Sequence, residues 1–214
     1  MDLVLFGIQG SGKGTQSKTI AERCGLDIFE AGGELRKISA EDNELGRKVK
    51  SIIEAGHLVP TEVVMEIVAN FLHRLPNGAA ALFDGIPRSD DQQKQFDALM
   101  EKEGRDFKGL YIDLTEEQAM HRLTTRRICT KCKEVFPAFY DKDKCEKCGG
   151  NLITRSDDTP DAIKIRLSTF TEKTLPVIKN YEKRGKILKV KGDQAIANVT
   201  SDIMEILRSD FNVN

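Results

Sequence analysis

The sequence predicts an α/β sandwich, a mostly parallel central sheet with helices on both faces. Three observations carry this. Short continuous apolar runs recur at 3–6, 79–83, 110–114 and 187–190, as strands buried on both faces require. Helical patterns separate the runs, which favours parallel pairing through crossovers. A glycine-rich turn directly follows the first run and opens a helix. At 214 residues and 39% hydrophobic, the chain can bury one core domain with small insertions and is too apolar to be disordered.

The elements follow in order. After the first strand a helix is expected over 13–24, then a short strand at 27–29. Val63, Val64, Ile67, Val68, Phe71 and Leu72 form an apolar stripe at helical spacing. Thr115 and Gln118 have capping-box spacing before a helix running to about Thr125. Thr159-Pro160 places a cap and a first-turn proline before a long helix, which Pro176 must kink or divide. Two stretches do not fit the sheet. Residues 30–59 hold helical patterns with no strand between them, and 128–157 is rich in Cys, Lys, Asp and Gly. Both read as insertions.

Charge narrows the function. Lys plus Arg (33) and Asp plus Glu (34) nearly cancel to a net −1. Proteins that bind nucleic acid by bulk charge are basic, so a polyanion here must meet a local cluster of cations. No apolar run reaches the length of a membrane span. The opening Met1 to Phe6 lacks the basic flank and cleavage site of an export signal. A cytoplasmic protein with neither membrane nor nucleic-acid partner is expected.

Gly7-Ile8-Gln9-Gly10-Ser11-Gly12-Lys13-Gly14-Thr15 carries the chemistry. Gly7, Gly12 and Lys13 match the spacing of a phosphate-binding P-loop. Glycines let successive backbone amides turn toward an oxyanion, and the following helix points its positive end at it. Lys13 adds a full charge, and the motif's hydroxyl is Thr15. A plain strand-to-helix turn is the bland alternative. Asp84, at the carboxyl end of the second buried run, stands where parallel sheets bind ligands and can organise magnesium through water; a loop-capping aspartate is the alternative. Arg88 follows a rigid Gly-x-Pro turn. Arg122 and Arg126, four apart, are expected on one helix face. Arg155 precedes Asp157-Asp158, and Arg166 lies seven residues into the next helix. Singly these are surface charges; together they suit phosphoryl transfer, where charge spreads over equatorial oxygens.

The five cysteines include two Cys-x-x-Cys pairs, Cys129/Cys132 and Cys145/Cys148, twelve residues apart. Four thiolates around one Zn2+ make a closed structural site, and an insertion too small for its own core would draw its folding energy from metal. Disulfides or unliganded thiols are the alternatives. Cys24 reads as a small core residue.

This P-loop continuing as Gly-Thr-Gln, with Asp-Gly-x-Pro-Arg, an Arg-x-x-x-Arg pair and Arg-x-Asp-Asp before an Arg-bearing helix, resembles the adenylate kinases over essentially the whole chain. The resemblance implies a core (1–29, 60–122 and 159–214), an AMP-binding insertion (30–59) and a zinc-bearing lid (123–158), in a monomer. It implies Mg2+-dependent phosphoryl transfer from ATP to AMP giving two ADP. ATP would be held by Gly10, Ser11, Gly12, Lys13, Gly14, Thr15, Arg122 and Arg126. AMP would be held by Ala31, Arg36, Gly85, Arg88, Gln92, Arg155 and Arg166, with Gln92 on the adenine edge. Lys13, Asp84, Arg88, Arg126, Arg155 and Arg166 would serve transfer, and Asp157 and Asp158 would favour lid closure. Some of these kinases similarly carry a four-cysteine lid; this one has a shorter spacer. Gln9 stands where the family usually has Pro. Glu30, Ala31 and Gly33 depart from the family's usual Ser, Thr and Asp, which opens a UMP/CMP-type or broad acceptor range as the alternative. From another class, a zinc-ribbon nucleic-acid-binding nucleotide sensor finds support only in the lid lysines.

Overall fold

Strand β1 (Asp2–Phe6) has no solvent face, which is why its sequence runs apolar without alternation. The computed structural model describes residues 1–136 and 140–211. After β1 come α1 (Lys13–Cys24), β2 (Leu26–Glu30), α2 (Ala31–Ser39), α3 (Glu44–Glu54), α4 (Thr61–Arg74), β3 (Ala80–Asp84), α5 (Asp90–Lys102), β4 (Phe107–Asp113) and α6 (Glu116–Thr125). Three short strands follow, β5 (Arg127–Cys129), β6 (Val135–Phe136) and β7 (Leu152–Ile153). The chain closes with α7 (Pro160–Thr169), a π-helical turn (Phe170–Thr174), α8 (Leu175–Lys183), β8 (Ile187–Lys191) and α9 (Ile196–Leu207).

Five strands pair in parallel in the order β2-β3-β1-β4-β8. Alternate side chains of β1 serve opposite faces. Leu3 and Leu5 pack with Ile20 of α1 and Ile203 and Leu207 of α9. Val4 and Phe6 pack with Phe83, Phe96, Phe107 and Tyr181, under α4, α5 and α8. The result is the expected three-layer α/β sandwich. Asp2 locks the entry to β1: its carboxylate accepts from the Ala81 amide (2.8 Å) and, in two bonds, from Arg105 (2.7 and 2.6 Å).

The expected caps are present. Thr115 and Gln118 form a full capping box on α6, and Thr159 caps α7 with Pro160 in its first turn. Pro176 divides its helix. A proline nitrogen donates no hydrogen bond and its ring crowds the preceding turn; the chain responds with the π-helical turn, where Leu175 N–H donates to Phe170 O. One strand begins earlier than the apolar run indicates. β4 starts at Phe107, because Lys108 and Gly109 interrupt the pattern yet pair in register with Leu3 and Val4.

Residues 30–59 form α2 and α3 with no strand between them, as expected. β6-β5-β7 make a small antiparallel sheet whose buried apolar cluster, among the described residues, is Cys129, Phe136 and Cys145, with Tyr140 and Leu152 against it. Among the described residues, no helix is long and apolar enough to cross a membrane.

Candidate functional site

β1 and β3 end side by side, with Leu5 opposite Asp84, and Asp84 opposite Glu30 of β2. The glycine-rich loop leaves β1 at this edge. Gly12, at φ 98°, is the N-cap of α1 and offers no side-chain cap, so the first amides of that helix keep their positive end open to an anion. Lys13 Nζ donates back to Gly7 O (2.6 Å) and Ile8 O (3.1 Å). Within the same loop Gln9 Oε1 and Ser11 Oγ are buried with no partner among the described residues. Gly10 and Gly14 line the loop's path, and Thr15 is exposed one turn into α1. Unsatisfied polar atoms, a bare helix start and a looped-back lysine are what an anion cradle presents before its ligand.

Burial dominates the electrostatics at this edge. It lowers the Lys13 ammonium to about 8, opposed by Asp84 and reinforced by Arg88 and Arg126. It raises the Asp84 carboxyl, against the pull of Lys13 and Arg88. These couplings place Lys13, Asp84, Arg88 and Arg126 in one field. Arg88 is fixed by its backbone and its neighbour Gly85. Its Nε donates to Gly85 O (2.8 Å), and a Cβ on Gly85 would come within 2.5 Å of Arg88 Nη2 and 3.5 Å of Ala31. Only the bare residue lets the guanidinium lie flat on this turn. Lys13, Gln9, Gly85, Arg88, Phe170 and Thr174 line the cavity left between them.

Gln92 is buried in the first turn of α5, where its Oε1 accepts the Arg88 amide (2.8 Å) while Ser89 caps the helix. Its Nε2 donates to no protein group among the described residues. Arg36 of α2 pairs with Glu30 (2.8 Å), both side chains half-exposed. A cleft of about 320 Å³ separates Arg36, Lys50 and Ile53 from Ser156 and Asp157. The Glu30–Arg36 pair was not legible as such: the family resemblance marked Glu30 only as a departure from the usual Ser before Arg36.

The remaining arginines form a hub. Arg126 is the C-cap of α6 (φ −69°, ψ 148°), its amide still bonded to Arg122 O at 3.1 Å, and the two guanidiniums reach different partners. Arg122 reaches Gly192 O (2.9 Å) and Gly10 O (3.4 Å), joining the glycine loop to the turn after β8. Arg126 grips Asp158 with two bonds (2.5 and 2.7 Å). Arg166 of α7 donates to Asp158 (2.6 Å) and Asp157 (3.4 Å), and Arg155 clamps Asp157 through Nε (2.8 Å) and Nη2. Both aspartates are buried. Burial works to raise the Asp157 carboxyl, but the Arg155 hydrogen bond and the charges of Arg155, Arg166 and Arg126 hold it below the usual carboxylate range. Gly192 escaped the sequence reading, because a carbonyl acceptor leaves no residue-type signal.

In the small sheet the four Sγ atoms of Cys129, Cys132, Cys145 and Cys148 lie within 4.8 Å of one another. Cys129–Cys148 and Cys132–Cys145 are 3.4 and 3.5 Å apart, near the ~3.8 Å separation of thiolates around a tetrahedral zinc. The two knuckles are the same turn. Lys133 (φ 59°) and Gly149 (φ 69°) each take the left-handed conformation, and each donates its amide to the carbonyl of the first cysteine, at 3.1 and 2.8 Å. The group fits a single metal ion. Glu134 beside it bridges Lys147 (3.1 Å) and, across to α1, Lys18 (3.0 Å).

The family model described as adenylate kinase matches residues 5–186. An adenylate kinase of Kosmotoga olearia is 35% identical over 214 aligned residues, covering 98% of this chain and 100% of that protein. One of Oceanobacillus iheyensis is 36% identical, covering 97% and 99%. One of Dehalococcoides mccartyi is 34% identical, covering 97% and 98%.

The knuckle geometry predicts thiol behaviour. In the metal-loaded chain a thiol reagent titrates only Cys24, although Cys132 and Cys148 are exposed. Chelation frees the other four and lowers Tm by about 10 °C or more. Immediate reaction of Cys132 and Cys148 without chelator would contradict a closed metal site.

Proposed function

The chain belongs to the adenylate kinase family, and from that premise we propose how its own residues divide the work of moving a phosphoryl group reversibly between ATP and AMP. The convergence of Lys13, Arg88, Arg126 and Arg166 around the ends of β1 and β3 carries the reading. An oxygen of the AMP phosphate attacks the γ-phosphorus in line. The bond to the bridging oxygen breaks, its electron pair stays on the β-phosphate of the departing ADP, and no protein nucleophile intervenes.

Amides of Gly10, Ser11, Gly12, Gly14 and Thr15, with Lys13, hold the ATP phosphates. Arg122, anchored between Gly10 and Gly192, lies against the ATP adenine, and Arg126 reaches the phosphates from its Asp158 anchor. Arg88 and Arg36 hold the AMP phosphate. Gln92 presents its free Nε2 to the AMP adenine beside Ala31 and Gly85. Arg155 and Arg166 span both substrates at the transferred group, oriented by Asp157 and Asp158. Asp84 would hold Mg2+ through water, and the ion would supply charge neutralisation at the ATP phosphates. Zn2+ fits the four thiols as a structural ion that stiffens the lid. Boundaries of 30–59 for the AMP-binding unit and 123–158 for the lid, a monomeric state, a cytoplasmic location and no nucleic-acid partner complete the reading. Lid closure excludes water, which would otherwise compete with AMP for the phosphoryl group.

The direct test is ADP formation with MgATP and AMP, UMP, CMP or GMP in parallel. AMP is expected to be the efficient acceptor, and a pyrimidine preference would overturn the assignment of Gln92.

Glu30 sets acceptor affinity. It neutralises part of Arg36 and repels an incoming phosphate dianion, so Glu30→Gln lowers the KM for AMP about two- to fivefold, an exposed pair contributing under ~1 kcal/mol. The KM for ATP stays constant. A rise in the AMP KM would show that Glu30 positions Arg36 more than it competes for it.

Lys13 gives a pH signature. Its pKa of about 8 in the free protein means it is largely neutral above that pH and charged below. Phosphates favour the charged form, so binding raises the pKa and takes up a proton at about pH 8.5, but almost none from Lys13 near pH 7. Calorimetry in buffers of different ionisation enthalpy reads this uptake. Its absence at the higher pH would remove Lys13 from the phosphate contacts.

A further inference from the structure

Arg88 is held by more than its own turn. Its amide donates to Gln92 Oε1 in the first turn of α5 (2.8 Å) and its Nε to Gly85 O in the turn after β3 (2.8 Å). Its carbonyl accepts from a distant residue, Thr174 Oγ1, at 2.9 Å across 86 positions of sequence. Thr174 is buried and lines the same cavity as Lys13 and Arg88. It closes the π-helical turn that Pro176 imposes between α7 and α8, and such turns recur at functional sites. A second bond fixes the same junction, Gln93 Nε2 to Asn180 Oδ1 at 3.0 Å.

We propose that Thr174 is a positioning residue for Arg88, and through it for the acceptor phosphate. The physical reason is geometric. Arg88 leaves a short loop whose start is fixed by β3 and whose end is fixed by the Ser89 cap. The peptide before Arg88 is pinned through its amide and the peptide after it through its carbonyl, from opposite elements, so neither plane can rock and the guanidinium has one resting place on Gly85. Without the Thr174 hydroxyl, the carbonyl loses its donor, and relieving that loss requires the following peptide to turn. α7, which carries Arg166, runs directly into the π-helical turn that carries Thr174. The cation nearer the transferred group and the cation on the acceptor are thus referenced to one continuous segment.

The proposal rests on the reading of Arg88 as an AMP phosphate ligand, and the experiment separates the two. Thr174→Val, Thr174→Ser and Arg88→Lys are compared by steady-state kinetics in both substrates and by thermal melting. Thr174→Val is expected to raise the KM for AMP and lower kcat, each about three- to tenfold, as one lost buried hydrogen bond implies. The KM for ATP stays within about twofold of the parent, and Thr174→Ser restores both parameters. A Thr174→Val variant that only melts earlier, or that raises both KM values alike, overturns the proposal, as does a Thr174→Ser variant equally impaired. Should Thr174→Val not fold, Thr174→Ala removes the same hydroxyl without the added methyl and carries the same expectations. Arg88→Lys leaving AMP kinetics untouched would remove the reading of Arg88 itself, whatever Thr174 does.

Discussion

Cations crowded at one edge of a sheet repel each other, and much of this structure manages that repulsion. Lys13, Arg36, Arg88, Arg126, Arg155 and Arg166 all serve one small region. Arg126, Arg155 and Arg166 are largely shielded from water, and there each opposes the others strongly. Asp84, Asp157, Asp158 and Glu30 offset this without cancelling it. Asp157 and Asp158 do most, because both are buried and both are shared: one carboxylate joins Arg126 to Arg166, the other Arg155 to Arg166. A net positive charge remains for phosphates to neutralise. Such a cluster attracts an anion able to lie among its members.

The sheet supplies the rigidity that this crowding requires. Loop and arginines are referenced to β1 and β3, whose neighbours on both faces are closely packed aromatic and aliphatic side chains. Phe83 and Phe96 stand 5.3 Å apart edge to face, as do Phe107 and Tyr181. Interiors packed at such density transmit displacement rather than absorb it. Charges fixed to strand ends and helix starts cost little reorganisation when a transition state forms between them.

What sequence made legible follows from the range of the interaction. The glycine loop, the Thr115–Gln118 box and the dividing effect of Pro176 depend on neighbours a few residues away, and all three were readable. The cysteine pairs were readable because the chemistry of a thiolate shell fixes both residue type and spacing. The arginines were readable as a set but not in their pairing. The four-residue spacing of Arg122 and Arg126 was legible, but not that one reaches Gly192 O and the other Asp158. The bonds from Thr174 to Arg88 and from Arg122 to Gly192 O join segments far apart in sequence. They use a backbone carbonyl as acceptor, and any residue provides one. Nothing in the composition of either segment could announce them. Glu30 lies between these cases: conspicuous as a residue, but silent about its partner until β2 and α2 are placed.

The small cysteine-bearing sheet enters and leaves the core through Arg126 and through 155–158, residues tied to each other by Arg126–Asp158. Both ends of the excursion are therefore fastened at the charge hub, while among the described residues its interior is organised by the cysteines and a small apolar cluster. The span between the two knuckles is held from within the excursion, by β6 pairing with β5 and by Tyr140 against Phe136. It can shrink, as the twelve residues between Cys132 and Cys145 suggest, or grow, without altering the anchor points that matter to chemistry. The excursion and its socket are thus separable: a change of length between the knuckles leaves the two fastenings, Arg126 and Asp158, where they are.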